Sequence, residues 1–268
     1  MSDFTTLTRL EFGLNFDSPL RPGELPPNLE YLYLGELNQE LPVGSLPPKL
    51  KEIVFGNSYN VFILPNVLPS SLKRIKFGSS FNQYLVAGVI PLGCETLCFG
   101  HQFDQTIEVN VIPPTVTTLK FGFFYNRRIQ QGVLKNVKSL TLGYLFNQTV
   151  VFDDQKQSFL SRLVGGESFI PSTLEYLEID NTLGGMMVNR PPAKTLKSLI
   201  SLSVNFHYTE QYSHYLVRFI DNDNSLVIRR STMEGGIIPK SKLFNSFAMK
   251  NLSIMREIHV FSTNINFD

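Results

Sequence analysis

The sequence holds only two cysteines, Cys94 and Cys98, and four histidines among 268 residues. Two cysteines cannot form a disulfide framework for a chain this size, so the fold must rest on buried apolar surface, as suits a reducing compartment. No uninterrupted apolar stretch reaches the roughly 18 residues that a membrane-spanning helix needs. The segment from Met1 to Thr6 has no basic region leading into an apolar run, so a cytoplasmic protein with no membrane partner is expected. Charge of one sign is also missing: the formal net charge is +1, which gives no bulk attraction to DNA, RNA or lipid. There is no phosphate-cradling glycine loop, GxSxG elbow or HExxH helix. His101, His207, His214 and His259 are scattered, with no carboxylate at a recognisable spacing. The expectation is a chain with no catalytic activity, metal or cofactor.

What the chain does have is a period. Glycines follow a hydrophobic-x-hydrophobic triplet at Gly13, Gly35, Gly56, Gly78, Gly100, Gly122 and Gly143, at intervals of 22, 21, 22, 22, 22 and 21. The triplets run from Leu10-Glu11-Phe12 through Ile75-Lys76-Phe77 to Leu140-Thr141-Leu142. Such short alternation reads as a strand with two residues inward and one outward. After each glycine comes an aromatic-Asn/Asp pair and then an aliphatic residue, as in Tyr59-Asn60 with Ile63, Phe81-Asn82 with Leu85 and Phe103-Asp104 with Ile107. One unit departs from this, with Leu37-Asn38 and Leu41 arriving a residue early. A hydrophobic-Pro step closes most units, at Leu25-Pro26, Leu46-Pro47, Leu68-Pro69, Ile90-Pro91 and Ile112-Pro113. Three residues past each proline stands an apolar residue: Leu29, Leu50, Leu72, Cys94 and Val116.

A single such unit cannot bury its apolar residues, whereas stacked neighbours can do it for one another. The expected fold is a β-rich solenoid with one parallel sheet, one strand per turn of roughly 22 residues, and a ladder of each residue class through the stack. In this reading glycine makes a tight corner, proline removes an unneeded donor, and Asn or Asp bonds the backbone of its own or the next turn. Cys94 takes an inward ladder position and Cys98 an outward strand position, so the two point apart and do not form a metal half-site.

These Phe-Asn-x-x-Ile and Ile/Leu-Pro patterns resemble the FNIP repeat family, which belongs with the leucine-rich-repeat-like solenoids. The resemblance runs over roughly residues 7 to 204. It implies a solenoid used for protein interaction, with no family catalytic residues to carry over. Some members resemble ubiquitin-ligase substrate-recognition subunits that join the repeats to an N-terminal F-box. Here the first unit begins near Leu7, which leaves that role to a separate F-box protein.

The period breaks once before it ends. Between Gly143 and Asp180 the interval is 37, and the excess lies in 151–169. A short helix is expected there, with Phe159, Leu160, Leu163 and Val164 on one face. The repeat array is expected to span 1–204, with a further strand at Leu202-Ser203-Val204, and a C-terminal α+β cap to span 205–268. In the cap a helix is expected from Thr209, with Tyr212, Tyr215, Leu216, Phe219 and Ile220 on one face. Strands are expected at Leu226-Val227-Ile228 and at Glu257 to Val260.

Only the outward strand positions escape the repeat's demands. They form two columns, and Tyr31, Tyr33, Arg74, Lys76, Lys120 and Tyr176 are the candidate partner-binding residues, Tyr and Arg being favoured at interface hot spots. The leading functional expectation is a non-catalytic scaffold that presents this face to a protein partner. A nucleic-acid role through Arg74, Lys76, Lys120, Arg127 and Arg128 is the rival, and the near-neutral total with no long basic stripe argues against it.

Overall fold

The computed structural model describes residues 4–146, 148–152, 167–171, 173–179, 201–206, 213–219, 224–229 and 235–239. They belong to two compact units, the first Met1–Tyr125 with Val133–Val137, the second Asn126–Gly132 with Lys138–Asp268.

The first unit is the solenoid that the period implies. A 3-10 turn at Phe4–Thr6 leads into β1 (Arg9–Glu11), β2 (Tyr31–Tyr33), β3 (Glu52–Val54), β4 (Arg74–Lys76), β5 (Thr96–Cys98) and β6 (Thr118–Lys120). Each pairs in parallel with the next, and the register follows the repeat: Leu10 aligns with Leu32, then Ile53, Ile75, Leu97 and Leu119. From Leu32 to Leu119 these central residues are 0% exposed.

Each strand is followed by a glycine whose carbonyl accepts a hydrogen bond from the backbone N–H of the aromatic three residues on, as Gly56 does from Tyr59, at 3.3 Å. In the early unit the same turn runs from Leu34 to Leu37 at 3.2 Å, so the shift seen in the sequence is a shift of the turn itself. The reason for the glycine differs from the expected tight corner. Among Gly35, Gly56, Gly78, Gly100 and Gly122, only Gly35 has a left-handed backbone (φ 60°). A Cβ placed on Gly56, Gly78, Gly100 or Gly122 would overlap the carbonyl oxygen of the glycine one turn earlier. The residue is needed because successive corners stack backbone on backbone.

Beyond the corner, two aromatic columns interleave. Phe77, Phe99 and Phe121 lie over Phe81, Phe103 and Tyr125 of their own turns, with ring centroids 4.0, 3.8 and 3.7 Å apart. Along the stack Phe77 and Phe99 are 5.6 Å apart and Phe99 and Phe121 5.5 Å. Offset stacks at such separations add to the burial of the rings. Beside them runs the expected Asn/Asp ladder, which reaches the adjacent turn. The Oδ1 atoms of Asp17, Asn38, Asn60 and Asn82 accept the backbone N–H of Asn38, Asn60, Asn82 and Asp104, each at 2.9 Å. Each bond satisfies a donor outside the β-ladder and is worth about 1 kcal/mol net.

The return segment holds a column that the motif reading did not find. Gly23, Gly44, Asn66, Gly88 and Asn110 all have left-handed backbone, with φ between 65° and 87°, as does Gly132 in the second unit. Glycine and asparagine are the residues that tolerate this region. The proline step then closes a second turn: the carbonyls of Pro26, Pro47, Pro69, Pro91 and Pro113 accept from the backbone N–H groups of Leu29, Leu50, Leu72, Cys94 and Val116 at 3.0–3.3 Å.

In the second unit β7 (Ser139–Leu142) pairs in parallel with β10 (Tyr176–Ile179), which pairs in parallel with β11 (Ser201–Phe206). Leu140 aligns with Leu177 and Leu202, so the repeat register survives the 37-residue interval. The insertion begins and ends in β8 (Thr149–Phe152) and β9 (Glu167–Ile170), a separate parallel pair. The helix expected around Phe159 to Val164 lies outside the described residues.

After β11 the pairing turns antiparallel, through β12 (Ser213–Phe219), β13 (Asn224–Arg229) and β14 (Gly235–Pro239). The strand expected at Leu226-Val227-Ile228 is present in β13, while the helix expected from Thr209 is replaced by β12. Tyr215, Val217 and Phe219 alternate at period 2, and two strand neighbours favour that pattern over the helical one. The expected strand from Glu257 to Val260 lies outside the described residues. Among the described residues no helix is long and apolar enough to cross a membrane.

The two kinds of glycine should respond differently to a methyl group. Gly78→Ala, which meets backbone, should cost about 3 kcal/mol or more. Gly88→Ala, with Pro65 Cβ the nearest atom at 3.5 Å, meets only its own φ and should cost about 1–2 kcal/mol. Equal shifts of the urea midpoint would disprove the close-approach account. The hydroxyl of Tyr59 is buried with no hydrogen-bond partner among the described residues, and burial pushes this phenol well above its ordinary pKa. Tyr59→Phe should therefore leave the thermal midpoint unchanged or raise stability by about 1 kcal/mol.

Candidate partner-binding face

A three-residue strand with a buried centre turns its two flanking side chains away from the core. In the first unit these build a column of Arg9, Tyr31, Glu52, Arg74, Thr96 and Thr118 beside one of Glu11, Tyr33, Val54, Lys76, Cys98 and Lys120. Tyr31 and Tyr33 are half-buried, whereas Arg74, Lys76 and Lys120 are exposed. Tyr176 holds the equivalent place in the second unit, where β10 aligns it with Ser139.

Most charges on and beside the first unit's face are matched. Arg9 pairs with Glu11, and its guanidinium lies 3.6 Å from the centroid of the Tyr31 ring. Burial raises the Tyr31 phenol, against the pull of Arg9. Arg74 Nη1 reaches Glu52 Oε2 on the neighbouring strand at 3.2 Å, with the two side chains 57% and 30% exposed. At the strand entries Lys51 pairs with Glu30 at 2.7 Å and Lys73 with Glu95 at 2.9 Å. Exposed pairs of this kind add at most about 1 kcal/mol each. Their stronger consequence is to cancel local field.

Lys76 and Lys120 make no ion pair among the described residues, and the strand register places both beside Cys98. Burial pushes the Cys98 thiol up, while Lys120, Lys76 and Arg74 pull it down without cancelling that rise. Cys94 lies under the sheet, where its Sγ donates to the Thr96 carbonyl at 3.4 Å and burial lifts its pKa to about 12. The two thiols thus lie on opposite sides of the strand, as the repeat alignment implies, and both are free. Among the described residues no group of three or more His, Cys, Asp and Glu side chains is placed to hold a metal.

Of the six candidate residues, five stand on one sheet face of the first unit and Tyr176 belongs to the second. Arg127 and Arg128, the remaining members of the basic set, also belong to the second unit. Two features escaped the sequence reading: Arg9 stacked on Tyr31, and Glu52 as the partner of Arg74. Both were present as neighbours one repeat apart, at spacings of 22.

The first unit is a parallel β-solenoid with one strand per turn. The family described as FNIP Repeat matches residues 6–37, 38–80 and 81–124. A solved structure described as CroV588, a novel circular LRR protein, is similar at 27% identity over 66% of this chain, with a TM-score of 0.43. This chain spans 34% of that one. No curated protein matches the sequence.

The thiols report on the local charge. Under native conditions iodoacetamide should label Cys98 and leave Cys94 unreacted until the protein unfolds. Because the Cys98 pKa is raised, its labelling rate should keep climbing with pH beyond the ordinary thiol range. Lys76→Met with Lys120→Met removes cations that favour the thiolate, so labelling at a fixed pH should slow. Faster labelling of the double variant would show that the lysines do not act on this site.

Proposed function

We propose that the chain is a non-catalytic interaction scaffold that presents the outward sheet face to a protein partner through Tyr31, Tyr33, Arg74, Lys76 and Lys120, with Tyr176 a contact on the second unit. The domain assignment behind this reading is a repeat array over 1–204, with its insertion at 151–169, closed by a cap over 205–268. The observation that carries the proposal is the pair of exposed lysines without counter-charges on a face whose other charges are matched. A partner surface bearing carboxylates would complete them. The half-buried tyrosines offer rigid contact area at small entropic cost.

A nucleic-acid role has less behind it. Acids stand beside the bases of the first column and the strand entries, so phosphates would meet Glu52 beside Arg74 and Glu95 beside Lys73.

The test is partner capture from an extract by immobilised chain, compared with an Arg74→Glu, Lys76→Glu variant. Capture should weaken by about 2 kcal/mol or more, with the thermal midpoint nearly unchanged because both side chains are exposed. A folded double variant that captures as well as the parent would discard this face. Captured material that is nucleic acid and dissociates steeply with salt would reverse the order of the two readings.

A further inference from the structure

Among the described residues of the first unit, no turn packs on the β1 side of the solenoid core. Leu10, Phe12 and Phe16 are part-exposed, whereas their counterparts in the next turn, Leu32, Leu34 and Leu37, are 0% exposed. With Leu7, Leu20 and Leu25 they line an open cavity of about 790 Å³. Phe12 and Phe16 stack at 3.7 Å across it.

The strand beside this cavity pairs only with β2 among the described residues, which leaves its other edge open there. The Thr8 carbonyl accepts from Tyr31 N–H at 3.0 Å, and Phe12 N–H donates to the Tyr33 carbonyl at 3.0 Å. Successive residues of a strand direct their N–H and C=O groups to opposite sides. Arg9 and Glu11 therefore direct theirs away from β2, toward the edge.

We propose that β1 is a homotypic interface, in which two copies of this chain pair β1 with β1 in antiparallel register about a two-fold axis through Leu10. The argument is complementarity. In that register Arg9 of each copy stands opposite Glu11 of the other, on the same face, with Cβ atoms about 5 Å apart. The two residues that present free backbone groups to the edge become the hydrogen-bonded pair, which gives four interstrand bonds around the axis. Leu10 meets Leu10 on the core side, and an axis normal to the sheet brings the two apolar mouths together. An edge guarded against its own kind would carry one sign of charge. Arg-Leu-Glu carries both, in the order that matches itself when reversed.

The test uses the full chain and its association constant from sedimentation at several concentrations. The parent should dimerise reversibly. Arg9→Glu and Glu11→Arg each put like charges opposite one another twice per dimer and should weaken association about tenfold or more. The double variant R9E/E11R should recover it. An equimolar mixture of the two single variants should form a mixed dimer at concentrations where neither alone associates appreciably. Both positions are exposed, and far-UV circular dichroism should match the parent in every variant. A parent that stays monomeric at all concentrations overturns the proposal. So does a dimer indifferent to R9E, or a double variant no better than the singles. None of these outcomes bears on the lysine face, whose reversal leaves β1 untouched.

Discussion

Each corner of the solenoid rests on the one before it. The carbonyl oxygen of Gly56 occupies the space where a side chain at residue 78 would begin, and the same holds from Gly78 to Gly100 and from Gly100 to Gly122. Backbones this close must follow the same path from turn to turn, because any divergence would open the contact or force an overlap. Once the path is shared, equivalent atoms recur at the spacing of the sheet, about 4.8 Å. That spacing sets what else can stack. Aromatic rings can, slightly tilted and offset, and so can a side-chain amide that accepts from the backbone one turn on. The Phe and Asn ladders thus follow from the glycine corner, and would lose their alignment if it moved.

The same constraint explains why the outward face is free to vary. Corner, aromatic, Asn and proline positions are fixed by contact with both neighbours, whereas a residue such as Lys76 or Thr96 meets only the side chains beside it. Charge patterns there add little to stability. On the proposed reading they would serve recognition, where a face whose charges are mostly cancelled within it gains contrast from the few that are not. Cys98 lies half-buried between two such lysines, and both pull on its thiol against the effect of burial.

The strand register, the aromatic and Asn ladders and the proline turns could all be read from the sequence, because each recurs as a residue type at a fixed offset. The reason for the glycine could not. A corner glycine and a close-approach glycine look alike until the next turn is placed against them. The left-handed column escaped for a different reason. It alternates Gly23, Gly44 and Gly88 with Asn66 and Asn110, amid neighbours that share no pattern. Its signal is a conformation served by two residue types. β12 escaped because Tyr215, Leu216 and Phe219 fit a helical stripe while Tyr215, Val217 and Phe219 fit a strand, and only the strands on either side decide between them. On the face, the residues were visible as columns. Which charges cancel, as Arg74 with Glu52, depended on side-chain reach and not on spacing.

A stack generated by translation has a top that fits its own bottom, so nothing in the repeat itself says where it should stop. Head-to-tail addition of a further copy would prolong the pattern without limit, which is the route to fibres. In the second unit the change from parallel to antiparallel pairing after β11 ends the parallel progression among the described residues, and β14 ends in Pro239, which offers no donor. The first turn has no such stop among the described residues, its strand being an ordinary member of the parallel series with a part-exposed core. A two-fold pair supplies one. It consumes the edge of both copies at once and leaves no further edge of that kind, whereas head-to-tail growth always leaves one. The two arrangements ask different things of β1. Continuation asks only for an inward Leu10, while closure asks that the residues flanking it be opposite in charge, as Arg9 and Glu11 are.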